Sequence, residues 1–148
     1  IIILKAFTKI FSMAGLSLGY AILGDITVAE NVKNTGQYWS VSVPAQMAGT
    51  VALDEKKYLE KTVEFIEKER QYITRNFLKS EIKVFDSEAN FIFFRCEKNI
   101  YELLKNSKIL IRNCENYKGL SSGFFRVAVR THEENIMLVS AVRRIFNG

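Results

Sequence analysis

Lys9 stands in an apolar setting, Phe7-Thr8-Lys9-Ile10-Phe11. A lysine amine attacks an aldehyde only when unprotonated, and loss of water favours that neutral form. Phe7, Ile10 and Phe11 would supply the desolvation. Taken alone, such a lysine reads as a surface residue between two apolar runs. A second set of polar residues lies in Phe125-Arg126-Val127-Ala128-Val129-Arg130-Thr131. Alternation there is strand periodicity, so Arg126, Ala128 and Arg130 share one face and the apolar residues the other. A planar guanidinium can grip a carboxylate through two parallel N–H bonds. At ~3.3 Å per residue, Arg126 and Arg130 lie roughly 13 Å apart and cannot hold one carboxylate. Arg130 then meets a second anionic group or is a surface residue at the next helix start. Arg112 faces a binding site or makes a structural salt bridge. Asn90 is a binding candidate or a polar strand-start residue, and His132 is expected to face solvent.

The elements that must position these residues follow from periodicity. Residues 1–4 read as a buried strand, and residues 6–24, rich in glycine and small residues, as loops with close backbone contacts. Residues 28–33 suggest a short helix, and residues 44–53 a second. Asp54 is a plausible N-cap for a long helix over about residues 54–78, with Leu59, Thr62, Ile66, Ile73 and Phe77 as its apolar stripe. Beyond it the texture changes to strands at 82–85, 90–95, 108–112 and 125–130. Asn99 with Glu102, and Thr131 with Glu134, are capping boxes for two further helices. Ile100, Leu103 and Leu104 are expected inward on the first. The layout predicts an α+β class, with a small mixed sheet covered by helices and preceded by the long helix.

Composition narrows the function. Of 148 residues, 48% are hydrophobic and 25% charged, a soluble globular balance with room for one sizeable core. The net charge of +5 is spread among glutamates along helices, and no motif supports nucleic-acid binding. Cys96 and Cys114 stand far apart and, with one histidine, cannot form a zinc cluster; they read as reduced thiols, which suits a cytoplasmic protein. The least charged stretch, residues 10–24, is too short and interrupted to span a bilayer. The opening on Ile1-Ile2-Ile3-Leu4, without methionine, reads as a piece of a longer protein.

The segment Ala6-Phe7-Thr8-Lys9-Ile10-Phe11-Ser12-Met13-Ala14-Gly15-Leu16-Ser17-Leu18-Gly19-Tyr20 resembles the lysine segment of class I/II aminotransferases, which are fold type I pyridoxal-phosphate enzymes. The likeness is strongest to the branch of histidinol-phosphate aminotransferase and threonine-phosphate decarboxylase. The stretch around Arg126 is similar to that family's final strand and helix. Trp39-Ser40-Val41-Ser42-Val43-Pro44 and Ala89-Asn90-Phe91 also fit the pattern, and Ile109-Leu110-Ile111-Arg112 with Tyr117-Lys118-Gly119 leans toward the decarboxylases. The resemblance implies that Lys9 forms a Schiff base with pyridoxal 5'-phosphate and shuttles the proton on the substrate α-carbon. It implies Thr8 and Ser17 beside the cofactor, and Arg126, Asn90, Arg112 and Arg130 around an amino-acid substrate. It implies residues 1–24 as the end of a large cofactor domain of α/β type, and residues 25–148 as a small C-terminal domain. A homodimer is implied for the whole protein, with neither nucleic acid nor membrane as partner.

Two positions depart from the family. Serine usually stands three residues before the lysine and arginine eight after it, both on the cofactor phosphate; here they are Ala6 and Ser17. Losing the arginine removes a forked cationic donor, for which Lys5 is the nearest substitute. The sequence therefore carries three readings. The first is the C-terminal part of an aminotransferase or amino-acid-phosphate decarboxylase, inactive by itself. The second is a degenerate, non-catalytic relative, and the third, from charge alone, a nucleic-acid or anionic-partner module.

Overall fold

The computed structural model describes residues 1–147. Two compact units, Ile1–Thr62 and Val63–Gly148, divide within the long helix. Among the described residues, no helix is long and apolar enough to cross a membrane.

In the first unit, β1 (Ile2–Ala6) pairs antiparallel with β2 (Gly19–Leu23), from Ile2↔Leu23 to Ala6↔Gly19. β2 corrects the expectation of loops throughout residues 6–24. Its small residues hide strand periodicity, and its form comes from the ladder with β1. Gly19 suits that ladder: a Cβ there would meet the Lys5 carbonyl oxygen at 2.8 Å. β1 is the expected strand but is not buried, with Ile2 60% and Leu4 77% exposed. Burial is decided by what packs on a strand's two faces, which an apolar run does not specify.

Helix α1 (Ile26–Thr35) starts at Asp25, whose carboxylate accepts from the Thr27 and Val28 amides. Helix α2 (Val43–Asp54) starts at Ser42, with Pro44 in its first turn and Ala45, Gly49 and Ala52 on its buried side. Helix α3 (Lys56–Lys79) follows after Glu55. Asp54 is therefore the last residue of α2 and not the cap of the long helix. The Glu55 amide donates to Ala52 and its carbonyl accepts from Leu59, so one residue closes α2 and opens α3.

The second unit is a four-stranded sheet in the order β3-β4-β6-β5, from β3 (Lys83–Val84), β4 (Phe91–Arg95), β5 (Arg112–Asn113) and β6 (Phe124–Ala128). The α+β class holds, but every ladder is antiparallel, not mixed. For β3–β4 and β5–β6 the physical reason is connection length: both are joined by short returns, whereas a parallel neighbour needs a crossover of a dozen or more residues. β5 is shorter than predicted because residues 108 and 109 still donate to the end of helix α4 (Ile100–Asn106). Lys108, at φ 60°, turns the chain there.

Alternation along β4 and β6 builds the core. Ile92 and Phe94, and Phe125 and Val127, point to one side, where Ile73 and Phe77 of α3, Ile100 and Leu104 of α4, and Leu138 and Val142 of α5 (His132–Asn147) meet them. Phe77 and Phe94 pack edge to face, with centroids 5.0 Å apart. Leu59 and Leu103, expected inward, are 39% and 42% exposed. The stripe of α3 is buried only along its C-terminal half.

At the junction of β6 with α5, the Thr131 and Glu134 capping box forms with both arms, the Glu134 amide on Thr131 Oγ1 and the Thr131 amide on Glu134 Oε2. Beneath it lies Glu69 of α3, a charged residue that is 2% exposed. His132 Nδ1 stands 2.9 and 3.1 Å from its two oxygens, and Asn135 Nδ2 donates to Oε2 at 2.9 Å. Asn135 also closes on the Arg130 amide and carbonyl, so its side chain ties α3 to the end of β6. His132 has an exposed ring, as expected, but its inner nitrogen serves this network. Burial pushes the Glu69 carboxyl up. The hydrogen bonds from Asn135 and His132, with the charges of His132 and Lys68, outweigh burial and hold it below the ordinary value.

Two outcomes follow. Phe77→Ala empties the centre of the second unit and is expected to cost about 3–5 kcal/mol in urea unfolding. Because the folded state lowers the Glu69 pKa, its stabilisation is complete above the unfolded value and is lost as pH falls through the folded one. Glu69→Gln is expected to flatten that acid limb, measured as unfolding midpoints across pH, and to cost ~1–3 kcal/mol at neutral pH.

Candidate active site

Lys9 lies on the connection between β1 and β2, three residues past the end of β1. The loop is closed at its base by the Phe7 amide on the Leu18 carbonyl, and turned by Phe11 to Phe7 and Ser12 to Lys9 backbone bonds. Ser12 and Ser17 take left-handed conformations, φ 55° and 49°, that let the loop return. Lys9 is exposed, Thr8 half-buried and Ser17 exposed. The apolar neighbours do not enclose the amine. Phe7 turns inward, 5.4 Å from Phe11 and 5.8 Å from Tyr20. Phe11 stacks on Tyr58 at 6.1 Å. The reading of Phe7 and Phe11 as a sheath for Lys9 is thus corrected: they form a small core beneath its loop. Among the described residues, no carboxylate pairs with Lys9.

The arginines belong to the second unit and are sorted by the sheet. Arg126 on β6 is directly opposite Arg112 on β5, both on the face away from the core. Like charges directly opposite are destabilising. Neither has a carboxylate partner among the described residues. Arg126 lies over the Phe91 ring at 4.8 Å and Arg112 over Tyr117 at 5.6 Å, where it also donates to Asn116 Oδ1. Arg130 is different. It is bound at 2.8 Å to Glu134, one turn into α5, and most of its side chain is in water. Arg130 is thus a surface residue near the helix start, its guanidinium engaged by Glu134. Arg112 makes no salt bridge among the described residues. Asn90 contributes its backbone carbonyl, which accepts from the Val129 amide and closes the end of the β4–β6 ladder; the residue is exposed.

Cys96 and Cys114 are buried and free. The Cys96 amide donates to Gly123 and the Cys114 amide to Phe124, from opposite sides of β6. Two strand spacings, roughly 9.5 Å, separate them, beyond the reach of a disulfide. Burial pushes both thiols up. Among the described residues no cluster of three metal-binding side chains exists. A polar cleft of about 720 Å³ opens beside Cys96, Asn99 and Asn113, and an apolar cavity of about 200 Å³ lies under Phe7, Phe11 and Tyr20. Lys9 and Arg126 line neither. Sequence reasoning missed Phe91 and Glu69. The first carries no polar signal, and the second is indistinguishable from its solvated neighbours on α3.

Comparison with known proteins gives a consistent result. The family model described as "Aminotransferase class I and II" matches residues 1–142. Threonine-phosphate decarboxylase of Salmonella typhimurium is 32% identical over 99% of this chain and 41% of its own length. The crystal structure of histidinol-phosphate aminotransferase from Clostridium acetobutylicum superposes with a TM-score of 0.93 and 31% identity, over 99% of this chain and 46% of that one. The enzyme of that name from Sinorhizobium meliloti, solved in complex with pyridoxal-5'-phosphate, shares the fold, with a TM-score of 0.85 at 23% identity over 99% of this chain and 41% of that one. The chain spans less than half the length of each of these proteins. With most of its length matched by that family's model, the chain belongs to the class I and II aminotransferases.

Proposed function

We propose that this chain is the C-terminal portion of a pyridoxal-phosphate-dependent aminotransferase acting on an amino acid. The observation that carries the reading is the pair Arg112 and Arg126, opposite each other and without a carboxylate partner among the described residues. Two adjacent guanidiniums on one sheet face suit an anionic substrate, with Arg126 on the α-carboxylate. Residues 1–24 belong to the cofactor domain and residues 25–148 to the small domain in this reading. The whole protein is a cytoplasmic homodimer.

The residues fit the cofactor in part. Lys9 offers an amine with no competing carboxylate among the described residues, on a loop closed by backbone bonds. Thr8 and Ser17 offer hydroxyls, but Ala6 offers no donor, so most of the phosphate contacts come from the rest of the whole protein. The cofactor, when bound, supplies an electron sink for charge developing at the substrate α-carbon. Lys9 holds it and then moves a proton at that carbon. Arg126 fixes the substrate by its carboxylate. Asn90, exposed at the start of β4, stands as a further substrate contact.

A second reading has one specific support, the 32% identity to a threonine-phosphate decarboxylase. Arg112 then takes the phosphate of a phosphorylated amino acid, and the bond broken is the one to the carboxylate. Incubating the full-length protein with O-phospho-L-threonine separates the two: release of carbon dioxide supports decarboxylation, and amino-group transfer to an added 2-oxo acid supports the first reading.

The full-length protein with added pyridoxal phosphate is expected to show a visible absorption band that Lys9→Ala abolishes. The isolated 148-residue chain is expected to turn over no amino acid. An intact protein without the band is a degenerate relative, and the proposal fails.

A further inference from the structure

We infer that Phe91 is a positioning residue for Arg126, its ring setting the direction in which the guanidinium presents its N–H fork. The inference rests on the reading of Arg126 as the carboxylate clamp. Phe91 pairs with Ala128 across the ladder, and Arg126 pairs with Phe93. Ring and guanidinium are therefore diagonal neighbours on the outer sheet face, within reach for a long side chain and an aromatic one. The guanidinium carbon stands 4.8 Å from the ring centroid. Ala128, opposite Phe91, is small and leaves the ring free to lean over Arg126.

The other neighbours of Arg126 cannot do this. Arg112, directly across on β5, repels it. Phe93 is engaged elsewhere, stacked on Phe124 at 5.6 Å and packed on Phe85 at 5.0 Å. No carboxylate among the described residues is salt-bridged to it. A carboxylate would orient a guanidinium at the cost of its in-plane donors and its charge. An aromatic face orients it from above or below the plane and leaves the five N–H groups for a ligand. Phe91 thus restrains Arg126 without competing for what Arg126 must bind.

The test uses the full-length protein and two probes, O-phospho-L-threonine and 1-aminopropan-2-ol O-phosphate, the same molecule without its carboxylate. Dissociation constants are measured by calorimetry for the unaltered protein, Phe91→Leu, Phe91→Trp and Arg126→Lys. Phe91→Leu is expected to weaken the acid about fivefold to tenfold and the amine by less than about twofold, and Phe91→Trp to restore the acid, because Trp also presents a π face. Phe91→Met replaces the leucine variant if that one does not fold. Unchanged acid binding in Phe91→Leu, equal weakening of both probes, or no recovery with tryptophan overturns the inference while Arg126→Lys still weakens the acid. If the unaltered protein does not prefer the acid, or Arg126→Lys has no effect, the reading of Arg126 fails and the inference with it.

Discussion

The register of β6 is the constraint on which the second unit depends. Phe125 and Val127 fill the core from one face while Arg126 stands on the other beside Arg112. A slip of one residue would bury a guanidinium and expose two core side chains, so the core and the candidate binding face enforce each other. Both ends of the strand are held. Gly123, at φ 91°, brings the chain in where a side chain would crowd the Cys96 carbonyl. Asn135, anchored on buried Glu69, holds the far end through the Arg130 backbone. Arg126 inherits its place from contacts that never touch it.

Local signals were the ones legible in the sequence. The alternation of β6 and the Thr131 and Glu134 box appear where the pattern puts them, because each is decided within a few residues, and the long helix appears with its start moved past Asp54. What the sequence hid depends on distant partners. β2 exists through its ladder with β1, and Glu69 is buried because α5 brings His132 and Asn135 to it. Arg126 lies over Phe91 and Arg130 pairs with Glu134, so position along one strand gives the two arginines different neighbours. That Arg112 would stand opposite Arg126 is a fact of register between strands, which no single segment contains.

The lysine loop shows the same division. Its motif was recognisable, and the loop is shaped as a return between two strands. The enclosure expected from Phe7 and Phe11 failed because those rings have better partners in Tyr20 and Tyr58. An apolar neighbour in sequence desolvates a lysine only if it has nowhere else to pack.

The facing arginines have a thermodynamic consequence. β5 is an edge strand of two residues, and one of its two pairings with β6 sets cation against cation. An anion held between the two guanidiniums, as in the proposed function, would remove that repulsion and act as a folding ligand, worth about 2.7 kcal/mol at a hundred times its dissociation constant. Occupancy and the fastening of this edge are then one equilibrium seen from two sides. Without such an anion the repulsion stays, and the β5 edge is the more loosely attached.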